Sequence, residues 1–375
     1  GSWYALGGDA LALDRGEFSF EAGLTLEKAP KITFRYTHKY RDGEKSSTSW
    51  GPTHHVGPAG LLTRGLSPSF YDIDERLHIF ELDATQHIKA TDLGVGVRYE
   101  TADLNDARKM TFFPGEATER RVTDRQETDY GLFNAHAFTE TWIKKKVFLS
   151  SGFSFSDLNS DFSGSRIYGS DFDVGYVPDV NNRVGYQDLS GMARTKEYVM
   201  NVNLMATPFK HFTVVPSVRV LNEDRNASSI AAQTDPASGF LASDSDSDLL
   251  DVRERLDLRY TGVTNWLFFA RGEWTEGEGK VNENGGLGTT LPIQRQSEDE
   301  RLFQKYSLGG RWYATRRVTV DAGGYYKINQ IDYDHRLDST ANASGNRYPA
   351  YLVMQDFDTY DANLRLTLRP WQNVT

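Results

Sequence analysis

The chain has 375 residues and a formal net charge of −10, and 38% of its residues are hydrophobic while 13% are aromatic. Its 21 Phe, 19 Tyr and 7 Trp are too many aromatic side chains for a disordered polymer. No window approaches the roughly 20 apolar residues of a membrane-spanning helix, which excludes a helical membrane protein. Because cysteine is absent, the chain has no disulfide, no Cys-ligated zinc or iron–sulfur site and no CxxCH haem attachment.

The first predicted elements are two strands joined by the short connector "KAP". Apolar residues occupy every second position from Phe18 to Leu26, with charged, small or polar residues between them. After the connector, "ITFRYTHKYR" alternates in the same way. Alternation with a period of two predicts β-strands with one apolar and one polar face.

The same pattern continues along the rest of the chain. Further alternating segments are "LGVGVRYE", "KKVFLSSGFSFS", "YVMNVNLMA", "FTVVPSVRV", "LDVRERLDLRY", "NWLFFARGEWTE", "YSLGGRWYATRRVTVDAGGYYK" and "YDANLRLTLRP". Short connectors such as "KATD" and "TPFKH" alternate with long polar ones such as "NEDRNASSIAAQTDPASGFLASDSDSD". We therefore expect regular hairpins with short turns at one end and long polar loops at the other.

This organisation is typical of a bacterial outer-membrane barrel. A soluble sandwich or barrel also has alternating strands. About thirteen strands would enclose an apolar core too wide for side chains to fill, since side chains just fill the interior of a barrel of eight strands. A solenoid or propeller lacks the two alternating classes of connector. We predict an all-β fold, a transmembrane antiparallel up-and-down β-barrel with about 13 visible strands, in the outer membrane.

Residues 1–375 are predicted to form a single barrel domain, because no change in composition marks a boundary. Bacterial barrels normally begin and end on the side of the short turns. Here the strand at Glu17 runs into a short turn, and the chain stops after the turn "RPWQN". We therefore expect the domain to be incomplete at both ends and to form part of a larger barrel.

The alternation predicts which side chains face lipid and which face the lumen. The predicted lipid-facing residues are Phe18, Phe20, Leu24, Phe34, Val95, Val97, Leu204, Val214, Phe268, Leu364 and Leu366. The predicted lumen-lining residues are Arg35, Lys39, Arg98, Arg219, Asp251, Arg253, Arg255, Asp257, Arg259, Arg271, Arg311 and Arg365. The lumen set carries both signs of charge, which suits a wet wall with charges paired across strands, or a socket for a bulky polar partner.

Aromatic residues near the strand ends predict two girdles at the level of the lipid headgroups. The predicted members are Tyr36, Tyr40, Tyr99, Tyr130, Trp142, Tyr198, Tyr260, Trp266, Trp274, Tyr306, Trp312, Tyr326, Tyr360 and Trp371.

No catalytic or cofactor-binding residue is predicted, because the sequence has no GxSxG, P-loop or HExxH motif. His54 and His55 are adjacent but lack a third metal ligand. The one metal candidate is a calcium site at Asp244, Asp246 and Asp248, which resembles a calcium loop in charge only. It lacks the glycine and the closing bidentate glutamate of an EF-hand. We expect a protein that is not an enzyme.

The hairpin series and the segments "FRYTHKYRDGEKSSTSWG", "NLMATPFKHFTVV" and "LRLTLRPWQNVT" resemble the MtrB/PioB-type outer-membrane porins. That resemblance implies a non-catalytic sheath around a multihaem c-type cytochrome, through which electrons cross the outer membrane. Haem would then belong to the partner, with no cofactor in this chain. Some members carry an N-terminal CxxC, which this cysteine-free chain lacks.

The alternative is a large porin or exporter without a haem partner, passing sugars, metals or polymer. In either case we expect contact with outer-membrane lipid and no nucleic-acid partner.

Overall fold

The computed structural model describes residues 11–51, 53, 55–57, 60–62, 65–114, 116–117, 119–144, 146–169, 186–233, 240–287, 291–338 and 352–369. These residues form fifteen strands. The strands are β1 (Leu13–Leu24), β2 (Lys31–Gly51), β3 (His55–Gly57), β4 (Gly60–Leu62), β5 (Gly65–Ile88), β6 (Thr91–Phe112), β7 (Arg120–Ile143), β8 (Val147–Gly169), β9 (Tyr186–Phe209), β10 (Phe212–Gln233), β11 (Phe240–Tyr260), β12 (Trp266–Leu287), β13 (Leu291–Thr315), β14 (Val318–Asp338) and β15 (Met354–Leu368).

Thirteen of the strands form one antiparallel sheet in chain order, from β1 and β2 through β5 to β15. The short strands β3 and β4 pair only with each other. Every strand of the large sheet hydrogen-bonds to the next one along the chain, which is an up-and-down topology. This confirms the predicted fold class, an all-β antiparallel up-and-down barrel sheet with thirteen strands. The described residues include no helix that is long and apolar enough to cross a membrane.

Left-handed residues reverse the chain at the short turns. Lys28, Lys89, Lys144, His211 and Asn265 have positive φ values between 50° and 71°, and each lies between two paired strands. A residue in this region lets the chain turn back within a few positions and so fixes the register of the hairpin. The register in turn decides which side chains share a face of the sheet.

The strands are much longer than the sequence predicts. Eleven of them, β2 and β5 to β14, contain 21 to 25 residues each. The predicted polar connector between residues 222 and 248 is mostly strand, because β10 continues to Gln233 and β11 begins at Phe240. The expectation of a long loop is wrong there. Both faces of these extensions are mostly polar, so the alternation of apolar and polar residues is lost while the backbone pairing continues.

We expect the amides of residues 241–249 to exchange slowly with solvent. Each of these positions is paired with both β10 and β12, so the backbone is held in a ladder on both sides. Hydrogen–deuterium exchange with mass spectrometry on the refolded chain checks this, with the short turn at residues 262–264 as the fast-exchanging reference. Exchange as rapid as in that turn would show that this segment is a loop.

The sheet is a single layer with almost no apolar core. Only six described hydrophobic residues are buried, namely Ile73, Ile79, Ala102, Met110, Val122 and Val199. The chain exposes 24904 Å² of surface, whereas a compact soluble protein of this mass exposes roughly 15,000 Å². The exposed side chains include large apolar ones such as Leu364 (75%) and Leu308 (70%). This surface argues against a closed soluble barrel with an apolar interior.

Candidate functional site

The register divides the sheet into two chemically different faces. Directly opposed residues of antiparallel strands lie on the same face. One such row runs from Phe20 on β1 through Tyr36, Phe80 and Tyr99 to Phe133 on β7. We call the face that contains this row the apolar face, and the opposite face, which contains Arg35, the charged face.

The structure places every predicted lipid-facing residue on the apolar face and every predicted lumen-lining residue on the charged face. Pair-by-pair register across all twelve strand interfaces gives this result without an exception. The assignment of these two faces to lipid and to lumen stays a prediction.

The part of the apolar face next to the short turns forms an apolar band, and aromatic rings line both of its edges. At the turn edge Trp266 stacks on Trp312, with ring centroids 5.6 Å apart. At the far edge Trp274 meets Tyr306 at 5.8 Å and donates its Nε1–H to the tyrosine oxygen. Trp266 and Trp274 are eight positions apart on β12, which is about 27 Å along a strand. Tilted by about 40°, the band covers about 21 Å, close to the roughly 25 Å apolar band of outer-membrane barrels.

The far edge of the band continues around the sheet. Ring centroids lie 5.0 Å apart for Tyr36 and Phe80, 4.9 Å for Phe155 and Tyr198, and 4.8 Å for Tyr326 and Tyr360. Stacked and tilted pairs of this kind stabilise a sheet beyond the area they bury.

Two predicted girdle residues lie on the wrong face. Tyr130 is opposite Ala102 and Trp142 is opposite Phe148, and both pairs belong to the charged face. Successive residues of a strand point to opposite faces, so the place of each residue in that alternation decides its face. Closeness to a strand end was not sufficient to predict the face of Tyr130 and Trp142. Trp371 lies outside the described residues; the remaining predicted members lie on the apolar face.

A ladder of alternating charges crosses the charged face from β1 to β6. Arg35 lies 2.7 Å from Glu21 and 3.5 Å from Glu81. Glu81 also lies 3.5 Å from Arg98, which pairs in turn with Glu100. Glu81, the interior carboxylate of this ladder, therefore contacts a guanidinium group on either side. This arrangement corresponds to the paired wall that the sequence suggests.

Glu100 is the most enclosed carboxylate of this ladder, with 8% of its surface exposed. One carboxylate oxygen accepts a 2.7 Å hydrogen bond from the Tyr130 hydroxyl, and the other accepts from Arg98. Charge-assisted hydrogen bonds compensate the loss of solvent around a buried carboxylate. Tyr130 was predicted as a girdle residue and not as a lumen-lining one, and its contact with Glu100 depends on the register between β6 and β7.

A second group of paired charges lies on β11 to β14. Asp257 accepts from Arg255 on its own strand and from Arg271 across the β11–β12 interface, at 2.5 Å. Arg311 pairs with Asp321 across the next hairpin. Charges of both signs are thus neutralised locally in this region too.

Some arginines of the charged face are in no ion pair with another described residue. Arg219 and Arg253 are directly opposed in the register of β10 and β11. The Arg253 Nε–H donates to the Thr275 hydroxyl at 3.3 Å. Like charges in opposed positions repel each other, so this point of the wall favours an anion.

The structure gives the calcium candidate no geometric support. Asp244, Asp246 and Asp248 alternate along β11, so successive side chains are separated by about 6.7 Å along the strand. Calcium ligands lie within about 2.3–2.6 Å of the ion, which needs oxygens that converge. The described residues contain no group of three or more potential ligands placed to hold a metal. His54 of the histidine pair lies outside those residues.

No family model matches the chain, and no curated protein matches it. Among solved structures, the open form of the ferric-catecholate import receptor Fiu from E. coli K12 is 10% identical, with a TM-score of 0.41, over 88% of this chain and 68% of that chain. The ferric yersiniabactin uptake receptor FyuA from Yersinia pestis is 9% identical, with a TM-score of 0.41, over 94% of this chain and 70% of that chain. A similarity at this level assigns neither a function nor a partner to this chain.

Proposed function

We propose that the chain forms the wall of an outer-membrane barrel, with the apolar face against lipid and the charged face around the interior. The support is the band of exposed apolar side chains between two rows of aromatic rings. In water such a band is unfavourable by about 25 cal/mol for each Å² of apolar surface, whereas lipid removes that cost. The paired charges of the opposite face suit contact with water or with a hydrated protein surface.

The interior of such a barrel is wide. The sheet has thirteen strands, and within the described residues β1 and β15 each pair with only one other strand of it. Open sheet edges are not tolerated in lipid, so both outer edges are paired in the membrane. Since side chains fill a barrel of about eight strands, this one encloses water or another molecule.

We propose further that the barrel sheathes a multihaem c-type cytochrome, as the sequence resemblance implies. The observation that best supports a sheath is the height of the wall. Strands of 21 to 25 residues tilted by about 40° reach roughly 50–65 Å, about two to three times the height of the apolar band. A wall of this height insulates a long electron-transfer path through the barrel. It also offers a protein partner a large surface of paired charges. The chain itself would be non-catalytic, with haem confined to the partner.

The second candidate is a porin without a haem partner. It is favoured by the opposed Arg219 and Arg253, because uncompensated arginines in a pore attract anions and confer selectivity. The two candidates differ in what occupies the interior when the protein is isolated from its native membrane.

Conductance in a planar bilayer separates the two candidates. The barrel purified from its native membrane is measured alone and then after addition of a multihaem c-type cytochrome from the same membrane. For the sheath we expect a large conductance that falls on addition, with haem absorbance that stays with the barrel during purification. A small conductance selective for anions, unchanged by the cytochrome, would establish the porin instead.

A further inference from the structure

A pocket of about 620 Å³ opens on the charged face beside the short turns that join β11 to β12 and β13 to β14. Four arginines line it, namely Arg311, Arg316, Arg365 and Arg369, together with a single carboxylate, Asp321. Asp321 pairs with Arg311 and is directly opposed to Arg365. The pocket therefore holds a formal excess of three positive charges.

This excess distinguishes the pocket from the rest of the charged face. Within the described part of the chain, Arg316, Arg365 and Arg369 are in no ion pair, and Arg365 and Arg369 are exposed. In the ladder from β1 to β6, by contrast, Arg35 and Arg98 each contact two carboxylates. Clustered guanidinium groups without carboxylate partners repel one another, so an anion bound among them would be stabilised.

The remaining lining of the pocket supplies neutral hydrogen-bond donors. Thr315, Thr319, Thr367 and Tyr313 contribute hydroxyl groups, and Asn265 contributes an amide. Guanidinium forks combined with hydroxyl and amide donors match the oxygen atoms of phosphate and carboxylate groups. A volume near 620 Å³ is within the range of pockets that bind small molecules, about 300–1,000 Å³.

We propose that this pocket binds a small multivalent oxyanion, a solute that carries phosphate groups or several carboxylates. Its place at the turn end of the charged face puts it at the entrance to the interior on that side. All the lining residues belong to this chain, on β13 to β15 and in the adjacent short turns, so the site does not depend on whether a cytochrome occupies the barrel.

The test is calorimetric titration of the refolded full chain at low ionic strength, with inorganic pyrophosphate and citrate as separate probes. Arg365→Gln and Arg369→Gln are combined in one variant, and circular dichroism checks that it folds. Because these side chains are exposed and outside the described ion pairs, folding should be retained. We expect saturable binding of at least one probe, weakened about tenfold or more in the variant.

Lys39→Gln provides the control, since Lys39 lies on the same face but pairs with Glu17 at 3.3 Å, away from the pocket. Its affinity for the probe should equal that of the unmodified chain. The proposal is overturned if neither probe binds saturably, or if the arginine variant retains full affinity. Equal weakening by Lys39→Gln would also overturn it, because binding would then follow net charge and not this site.

Discussion

Val202→Arg is expected to lower the free energy of unfolding in a phospholipid bilayer by about 2–4 kcal/mol. Val202 lies on the apolar face of β9, opposite Ser151 on β8 and Val218 on β10. It is midway between Tyr198 and Ala206 on the same face of that strand, near the centre of the apolar band. In lipid a guanidinium group there would have no water, and the directly opposed positions on the two neighbouring strands carry no carboxylate. Urea unfolding of the chain in vesicles, followed by tryptophan fluorescence, measures the change.

The matched control is Asn203→Arg, one position further along the same strand. Asn203 is exposed on the charged face, opposite Ser150 and Ser217. The new arginine would join a wall that already carries many, so the cost should stay below about 1 kcal/mol. If the two substitutions cost the same, or if Asn203→Arg costs more, the apolar face does not meet lipid.

The division of the sheet into two faces could be predicted from the sequence because it depends only on local alternation. From Phe18 to Leu24 every second residue is apolar, and the structure keeps that parity from strand to strand. A one-residue slip would move a whole strand to the other face, which makes this pattern a strong constraint wherever one face is apolar.

The strand extensions could not be predicted in this way. From Ser243 to Asp248 serine and aspartate alternate, so both faces are polar and the segment resembles a loop in composition. Its strand structure comes from backbone pairing with β10 and β12. Such pairing is non-local and leaves little trace in the side chains of a strand that water contacts on both faces.

The charge ladder also lay beyond sequence reasoning. Arg35, Glu81 and Arg98 are widely separated in the chain and meet only through the registers of two strand interfaces. The sequence indicated that the wall carries both signs but not which residues pair. The basic pocket near Arg365 was missed for the same reason, since its excess charge is apparent only when the pairs elsewhere are known.

Glu100→Ala is expected to lower the free energy of unfolding by about 2–3 kcal/mol, because it leaves the Tyr130 hydroxyl and one side of Arg98 without their acceptor. The carboxylate is buried, so water does not replace it freely. The same unfolding assay in vesicles measures the loss. Glu17→Ala is the control, since Glu17 and Lys39 are both about half exposed and a surface pair contributes only about 0–1 kcal/mol.

A double-mutant cycle with Tyr130→Phe shows whether the loss belongs to the hydrogen bond. Tyr130→Phe removes only the hydroxyl that donates to Glu100. Groups in direct contact couple by about 0.5–3 kcal/mol, so the double variant should be more stable than the sum of the two single losses predicts. Strictly additive losses would mean that Glu100 stabilises the sheet without Tyr130. The backbone ladder would then hold β6 against β7 at this point without help from the Glu100–Tyr130 contact.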